Sequence, residues 1–270
     1  MIEELYNTNS LSDSEKESIL NILKNHDAGR NYNISESIDN YDNTLNSHYI
    51  YKIDNELIGY VNIFAPDNSS FYIYPIIHND YRNKGFFKKL LNYTIDEIKS
   101  FLSNSKEKPT SPLTFILPLV KDGDSFDDIN GIYTHLCGNA ADIQYIMSLD
   151  FNNARLSSLN KTSVTKTPTE KNNYMYKIYD NKEGKLIGYF ALYFDEENKT
   201  ITLYRLFIKP QFRKNHFAYS TLTDLILTET KNGYKKLILQ VSDRNKNALG
   251  LYNKLGFNIT SEERFFLYDN

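Results

Sequence analysis

Two stretches of this chain are written in nearly the same letters. Tyr49 to Phe64 reads YIYKIDNELIGYVNIF, and Tyr174 to Phe194 reads YMYKIYDNKEGKLIGYFALYF. A pattern that returns at long spacing confines the fold to two like units, so the repeat comes before any motif. Each stretch is rich in Tyr, Ile, Val and Phe. Each is broken by turn residues, Asp54-Asn55-Glu56 in the first and Asp180-Asn181-Lys182-Glu183-Gly184 in the second. Both predict a pair of strands. A third strand follows in each copy, around Ser70 to His78 and Thr200 to Pro210. Then comes a stripe at helical spacing: Phe87, Leu90, Leu91, Thr94, Ile98 and Phe101 in the first copy, and Ala218, Leu222, Leu225, Ile226 and Glu229 in the second. An apolar strand comes next, LTFILPLV and KKLILQV, followed by a further helix and a closing apolar-aromatic segment.

The order is β-β-β-α-β-α-β, twice. It predicts the α+β class, as two units that are each a mixed, mainly antiparallel sheet flanked by helices. The polar stretch from Asn152 to Asn173 places the boundary, giving an N-terminal domain over 1–160 and a C-terminal domain over 165–270. The copies are unequal. The first has an amphipathic helix near Ser12 to Asn25, with Ser12 or Ser14 as its cap. It also has an acidic loop, KDGDSFDDING, read as a solvated turn rather than a metal site, because Phe126 and Tyr133 stand where a calcium loop needs ligands. The second copy has no room for an N-terminal helix.

Several classes of function are set aside by composition. No apolar run nears the roughly 18 to 20 residues that span a bilayer, so no membrane partner is expected. A net charge of -3 argues against nucleic acid as a partner. The start, MIEELYNTNS, has no basic, apolar leader, and Cys137 is the only cysteine. Both point to a cytoplasmic protein without disulfides. Cys137, flanked by apolar residues, is read as packing.

Two motifs carry chemistry. The first joins the third strand of the second copy to its helix and reads Ile208-Lys209-Pro210-Gln211-Phe212-Arg213-Lys214-Asn215-His216-Phe217-Ala218. A helix that starts after such a loop points its free N–H groups and its dipole at an anion. The second runs from Leu239 to Phe257, LQVSDRNKNALGLYNKLGF. Together they resemble the GNAT superfamily of N-acyltransferases, whose loop reads roughly V-x-P-x-x-R-x-x-G-x-G/A. The family's second motif, L-x-V-x(3)-N-x-x-A-x-x-L-Y-x-K-L-G-F, is matched almost throughout. The resemblance implies acetyl-CoA as cofactor. Its pyrophosphate would lie on Arg213, Lys214, Asn215, His216, Phe217 and Ala218. The pantetheine arm would lie against Asn245 in the gap beside the third strand, and N–H groups near Phe207 and Ile208 would polarise the thioester carbonyl. Tyr252 would protonate the leaving thiolate. His216 stands where the family has its first glycine; a positive φ there would strain it.

The first copy is more eroded. Ile77 to Phe87 keeps Gly85 but puts Phe87 at the small position. An ungapped alignment of Asn139 to Phe151 with the second motif matches Asn139 to Asn245, but sets Ile146 against Tyr252 and Asp150 against Gly256. On that alignment the first copy is catalytically silent and structural.

The resemblance implies direct attack on the thioester by an amine, on a small molecule or a peptide, without an acyl-enzyme. No carboxylate sits near Tyr204 and Arg205 to serve as base. The second copy lacks the helices that wall the acceptor side, so copy one or another chain, as in a homodimer, is expected to supply that wall. The alternative is a non-catalytic coenzyme A-binding regulatory module, which has no need of an acid at Tyr252.

Overall fold

The computed structural model describes residues 2–25, 40–109, 111–121 and 126–269. Along the chain the elements are β1 (Glu3–Thr8), α1 (Asp13–Asn25), β2 (His48–Ile53), β3 (Glu56–Phe64), β4 (Ser70–Ile77), α2 (Phe86–Asn104), β5 (Thr114–Val120), α3 (Phe126–Cys137), β6 (Asp142–Asp150), β7 (Thr162–Glu170), β8 (Asn173–Asp180), β9 (Leu186–Asp195), β10 (Thr200–Ile208), α4 (Phe217–Lys231), β11 (Lys236–Ser242), α5 (Lys246–Leu255) and β12 (Asn258–Tyr268). They form two compact units. The first spans 1–142 and 263–270, and the second spans 143–262.

In the first unit the strands lie in the order β1-β2-β3-β4-β5-β12. All neighbours are antiparallel except β4 and β5. Asp54 (φ 47°) and Asn55 (φ 70°) form the two-residue turn between β2 and β3, the left-handed pair that matches strand twist. α1 starts in a capping box: Ser12 N–H donates to Glu15 Oε2 at 2.8 Å, and Glu15 N–H donates to Ser12 Oγ at 3.3 Å. Ser12, not Ser14, is the cap. With Leu11, Ile19 and Ile22, α1 buries one sheet face, that of Ile50, Leu57, Tyr60 and Ile76. Leu90, Leu91, Ile95 and Ile98 of α2 belong to the larger cluster with Tyr49, Tyr51 and Phe71.

In the second unit the order is β6-β11-β10-β9-β8-β7, with β10 and β11 parallel and the rest antiparallel. α4 packs Leu222, Leu225 and Ile226 into a cluster with Ile178, Phe190, Leu192, Ile201 and Leu237. The opposite face has no counterpart of α1. Its Leu186, Tyr189, Tyr193 and Tyr204 are exposed.

Three sequence expectations need correction. The units do not divide between 160 and 165, because the closing strands are exchanged. β6, which ends the first copy, pairs with β11 of the second unit. The last residues of β12 pair with β5 of the first. The closing strands read DIQYIMSLD and NITSEERFFLY, and nothing in their alternation names a partner. Second, the stretch from Asn152 to Asn173 is not all linker: Thr162–Glu170 is β7, the outer strand of a hairpin with β8. Third, Asn139 to Phe151 is no helix. The helix matching α5 is α3, which begins at Phe126 inside the acidic segment read as a turn and runs on past it; residues 122–125 of that segment lie outside the described residues. Gly138 (φ 78°) follows α3 as Gly256 (φ 93°) follows α5. The match of Tyr133 to Tyr252 lies 13 residues away from the alignment that sets Asn139 against Asn245, and Cys137 is one extra residue before the glycine.

Candidate active site

β10 is one residue longer than β4, TITLYRLFI against SFYIYPII. The extra residue is Arg205, held at φ 57°, where the β9–β10 register shifts between Tyr204 and Phe207. This is a β-bulge. Parallel pairing of β10 with β11 stops at Leu203 and Leu239, so the strands part beyond it. Lys209 N–H donates to Ile187 O at 2.9 Å. By the alternation of an antiparallel ladder, the Phe207 N–H turns to β9 and the Ile208 N–H turns to the gap. Of the two N–H groups the sequence proposes, Ile208 is the one that faces a ligand. The bulge leans on Gly188, where an added Cβ would sit 2.2 Å from Phe207 O.

Beyond β10, Pro210–Phe212 is a 3-10 turn, Lys214 lies at φ 62°, and His216 lies at φ 64° as the N-cap of α4. Arg213 Nε–H donates to Ile208 O at 2.9 Å, and its guanidinium lies 5.5 Å from the Phe207 ring. The loop is thereby tied back to the strand. His216 makes no side-chain cap, the first turn carries no acid, and Ser220 N–H is the first to pair within the helix, with His216 O at 2.9 Å. The N–H groups of Phe217, Ala218 and Tyr219 are left for a ligand.

These parts converge on a cleft of about 560 Å³. Phe207, Ile208, Arg213, Lys214, His216, Phe217, Ala218, Asn245 and Tyr252 all line it. Asn215 is absent from that lining; its amide donates to Phe212 O (3.4 Å) and Arg213 O (3.2 Å) and so shapes the loop. Asn245 Oδ1 caps α5, accepting from Ala248 N–H at 3.2 Å. Its Nδ2 is therefore the group that remains for a ligand. Lys254 adds a further cation, and no Asp or Glu is among the described lining residues. Tyr252 is 6% exposed and packs against Phe257. Burial pushes its phenol up to about 12, so it stays protonated through neutral pH.

Sequence reasoning missed two parts, Arg205 and Gly188. The signals were present: one extra letter in β10, and the LIGY tetrapeptide shared by both hairpins. It also missed the true partner of Tyr252. NGIYTHL in α3 matches LGLYNKL in α5, so Tyr133 is the counterpart.

The first unit has a cavity of about 720 Å³ in the corresponding place. Its chemistry differs. β3 and β4 pair without a bulge, and Pro75, which has no N–H, stands in β4. Asp127 and Asp128 line the cavity where α5 has Lys246 and Asn247. Phe87 sits 6.2 Å from the Tyr133 ring, and Tyr133, 1% exposed, also packs edge-on to Phe266. Tyr133 borders its cavity as Tyr252 borders the cleft, but it is the more deeply buried of the two. Burial, and then the charge of Asp269, push the Cys137 thiol up to about 11, which suits a packing role.

The sequence profile of the acetyltransferase (GNAT) family matches residues 16–106 and 143–257. A GCN5-related N-acetyltransferase from Sphaerobacter thermophilus has a similar structure, with TM-score 0.67, 10% identity, and 97% of this chain and 94% of that one covered. So does a tandem GNAT protein from the clavulanic acid biosynthesis pathway, solved without AcCoA: TM-score 0.60, 12% identity, 98% of each chain covered. A GNAT-family acetyltransferase from Colwellia psychrerythraea matches at TM-score 0.52 and 11% identity, over 98% of this chain and 100% of that one. At these identities the likeness speaks to the fold, a two-unit arrangement of the GNAT type.

Proposed function

Since the chain belongs to the acetyltransferase (GNAT) family, we propose that its second unit binds acetyl-CoA and transfers the acetyl group to an amine, in the cytoplasm. The observation that carries this reading is the cleft itself. A cation-lined helix N-terminus, an Ile208 N–H facing the β10–β11 gap and the buried phenol of Tyr252 border one space.

The residues present fit the cofactor. The free N–H groups of α4, with Arg213, Lys214 and Lys254, suit a pyrophosphate. The parted strands offer a slot for an extended pantetheine arm, and Ile208 N–H suits the thioester oxygen. The amine nitrogen attacks the carbonyl carbon, a C–N bond forms and the C–S bond breaks. The sulfur takes a proton from Tyr252, which regains one from solvent as the new amide sheds its own. A phenol at about 12 is a weaker acid than a free thiol near 8.5. Transfer of its proton requires that desolvation raise the departing thiol as well.

The first unit is assigned a structural role, for the reasons given by Pro75, Phe87, Asp127 and Asp128. A second reading, a non-catalytic coenzyme A-binding module, draws on one observation: no carboxylate lines the cleft to deprotonate an amine.

The test is a calorimetric titration with acetyl-CoA, then thiol release over a panel of amines. One site per chain is expected. Tyr252→Phe should lower kcat about 10²-fold, the scale of a lost general acid, with acetyl-CoA affinity kept within about threefold. Absence of acetyl-CoA binding refutes both readings. Binding with no thiol release from any amine favours the second.

A further inference from the structure

A second cavity of the first unit, of about 760 Å³, lies at the C-terminal end of α2. Its described lining holds three carboxylates, Asp42, Glu97 and Glu107, against one cation, Lys106. Among the described residues no ion pair reaches any of the three. α2 has no basic residue in its last turn, so the negative end of its dipole adds to the field; Lys108 covers one carbonyl, Ser103 O, at 2.9 Å. Glu97 is held in place. Asn7 Nδ2 donates to Glu97 Oε2 at 2.9 Å and to Tyr93 OH at 3.2 Å, and the Asn46 amide donates to Asn7 Oδ1. Tyr49 lines the same cavity and is 1% exposed, yet its phenol has no hydrogen-bond partner among the described residues. Burial, and then the charge of Glu97, push that phenol up, so it stays neutral. A buried polar group left unpaired in a cavity wall is a group that a ligand can satisfy.

The second unit shows what this corner of the fold accommodates. Gly59 and Gly188 hold the same register position, so Tyr49, opposite Val61, corresponds to Tyr176, opposite Phe190. On the outer strands Asn7 pairs with Tyr49, and Lys166 pairs with Tyr176. Lys166 therefore stands where the first unit has Asn7. Its Nζ lies 3.6 Å from the centre of the Tyr174 ring, 4.9 Å from that of Phe194 and 5.9 Å from that of Tyr176. The second unit fills the corner with an ammonium of its own, held on aromatic faces. The first unit has an amide at that position, and sets carboxylates and an unpaired phenol around an open space.

We propose that this cavity binds a small alkyl diammonium, with one ammonium on Glu97 and Tyr49 and the other toward Asp42 and Glu107. Three carboxylates against one lysine leave two negative charges, which suits a dication. The methylene chain lies along Leu45 and Phe101, which line the same space. A metal ion is the poorer fit, because among the described residues no three His, Cys, Asp or Glu side chains are grouped to hold one. The site does not depend on the acetyl-transfer reading.

The test is calorimetric titration of the full chain, without acetyl-CoA, by 1,4-diaminobutane, n-butylamine and Mg²⁺ in turn. The diamine is expected to bind about tenfold or more tighter than n-butylamine, the scale of one hydrogen bond to a charged group. Glu97→Gln keeps an oxygen for the Asn7 amide and should weaken the diamine about tenfold. Asn7→Lys copies the second unit, with an ammonium at the Lys166 position, and should abolish diamine binding. A cooperative thermal transition shows that each variant is folded; if one is not, the other decides. No binding of the diamine, or equal affinity for n-butylamine, overturns the proposal. Diamine binding that a folded variant leaves unchanged also overturns it, since the amine then sits elsewhere, as on the acceptor side of the second unit. Mg²⁺ bound more tightly than the diamine, and lost in Glu97→Gln, makes the cavity a metal site and overturns it too. Acetyl-CoA binding by the second unit stands or falls separately from all of these.

Discussion

Gly188→Ala is the sharpest single perturbation of the proposed cleft. Gly188 does not need glycine for its own backbone angles; it needs the absence of a side chain. A Cβ there would lie 2.2 Å from Phe207 O, 3.0 Å from Ile208 Cδ1 and 3.2 Å from Ile208 Cα. Ordinary carbon-to-carbonyl-oxygen contacts are about 3.3 Å or longer. The β10 backbone must therefore withdraw by about 1 Å, and a carbonyl in a strand cannot rotate out of the way as a side chain can. Overpacking costs typically about 1–3 kcal/mol, and a backbone clash belongs at the upper end. For a unit of this size that is a fall in Tm of about 10 °C. The same shift displaces Ile208 N–H, so acetyl-CoA affinity should fall about tenfold or more. Gly59, its counterpart in β3, is the control. A Cβ there meets Ile77 Cδ1 at 2.7 Å and Leu90 Cδ2 at 3.0 Å, the ends of flexible side chains. Gly59→Ala should cost about 1 kcal/mol and leave acetyl-CoA binding unchanged. Differential scanning calorimetry and titration calorimetry read both variants. A Gly188→Ala protein with wild-type Tm and affinity refutes the reasoning about the bulge.

Three further outcomes are expected. His216→Gly should raise Tm by a few degrees, because left-handed backbone costs a non-glycine residue about 1 kcal/mol; a fall in Tm means that the His216 side chain supplies a compensating contact. Burial tends to raise the Glu15 carboxyl, but hydrogen bonds from Tyr6, Lys52 and Ser12 outweigh it and hold it down to about 2. A depressed carboxylate stabilises fully above its unfolded value of 4.5 and loses that contribution as pH falls toward 2. Urea titrations should show the wild type ahead of Glu15→Gln by about 1–3 kcal/mol at pH 6 and level with it near pH 2; a gap that does not close in acid removes the ion-pair explanation. A fragment of 165–270 lacks β6 and leaves Leu237 and Leu239 of β11 without their neighbouring strand, so it should express insoluble or molten by circular dichroism. A folded, cooperative 165–270 fragment contradicts the exchanged strands.

Much of the site is local, and local features are legible. The anion loop and the Asn245 to Phe257 motif are runs of adjacent residues whose spacing on one helix fixes which side chains share a cleft. Hence Arg213, Lys214, His216, Ala218, Asn245 and Tyr252 meet as expected. The bulge was harder to see, since Arg205 betrays itself only when two strands are laid side by side. The inward N–H of Ile208 follows from the register, and register is a property of a pair.

The sequence alone determined that there are two like units, that a strand–loop–helix joint recurs in each, and that the first copy puts Phe87 at the small position that Ala218 keeps in the second. These depend on residue type and near spacing. Tertiary structure decided which strand closes which unit, that Gly188 exists to admit the bulge, and that α1 shields in one unit the face left open in the other. The physical reason is common to all three. Strand pairing and face coverage are chosen by the summed burial of distant partners, and no single stretch of chain contains that sum.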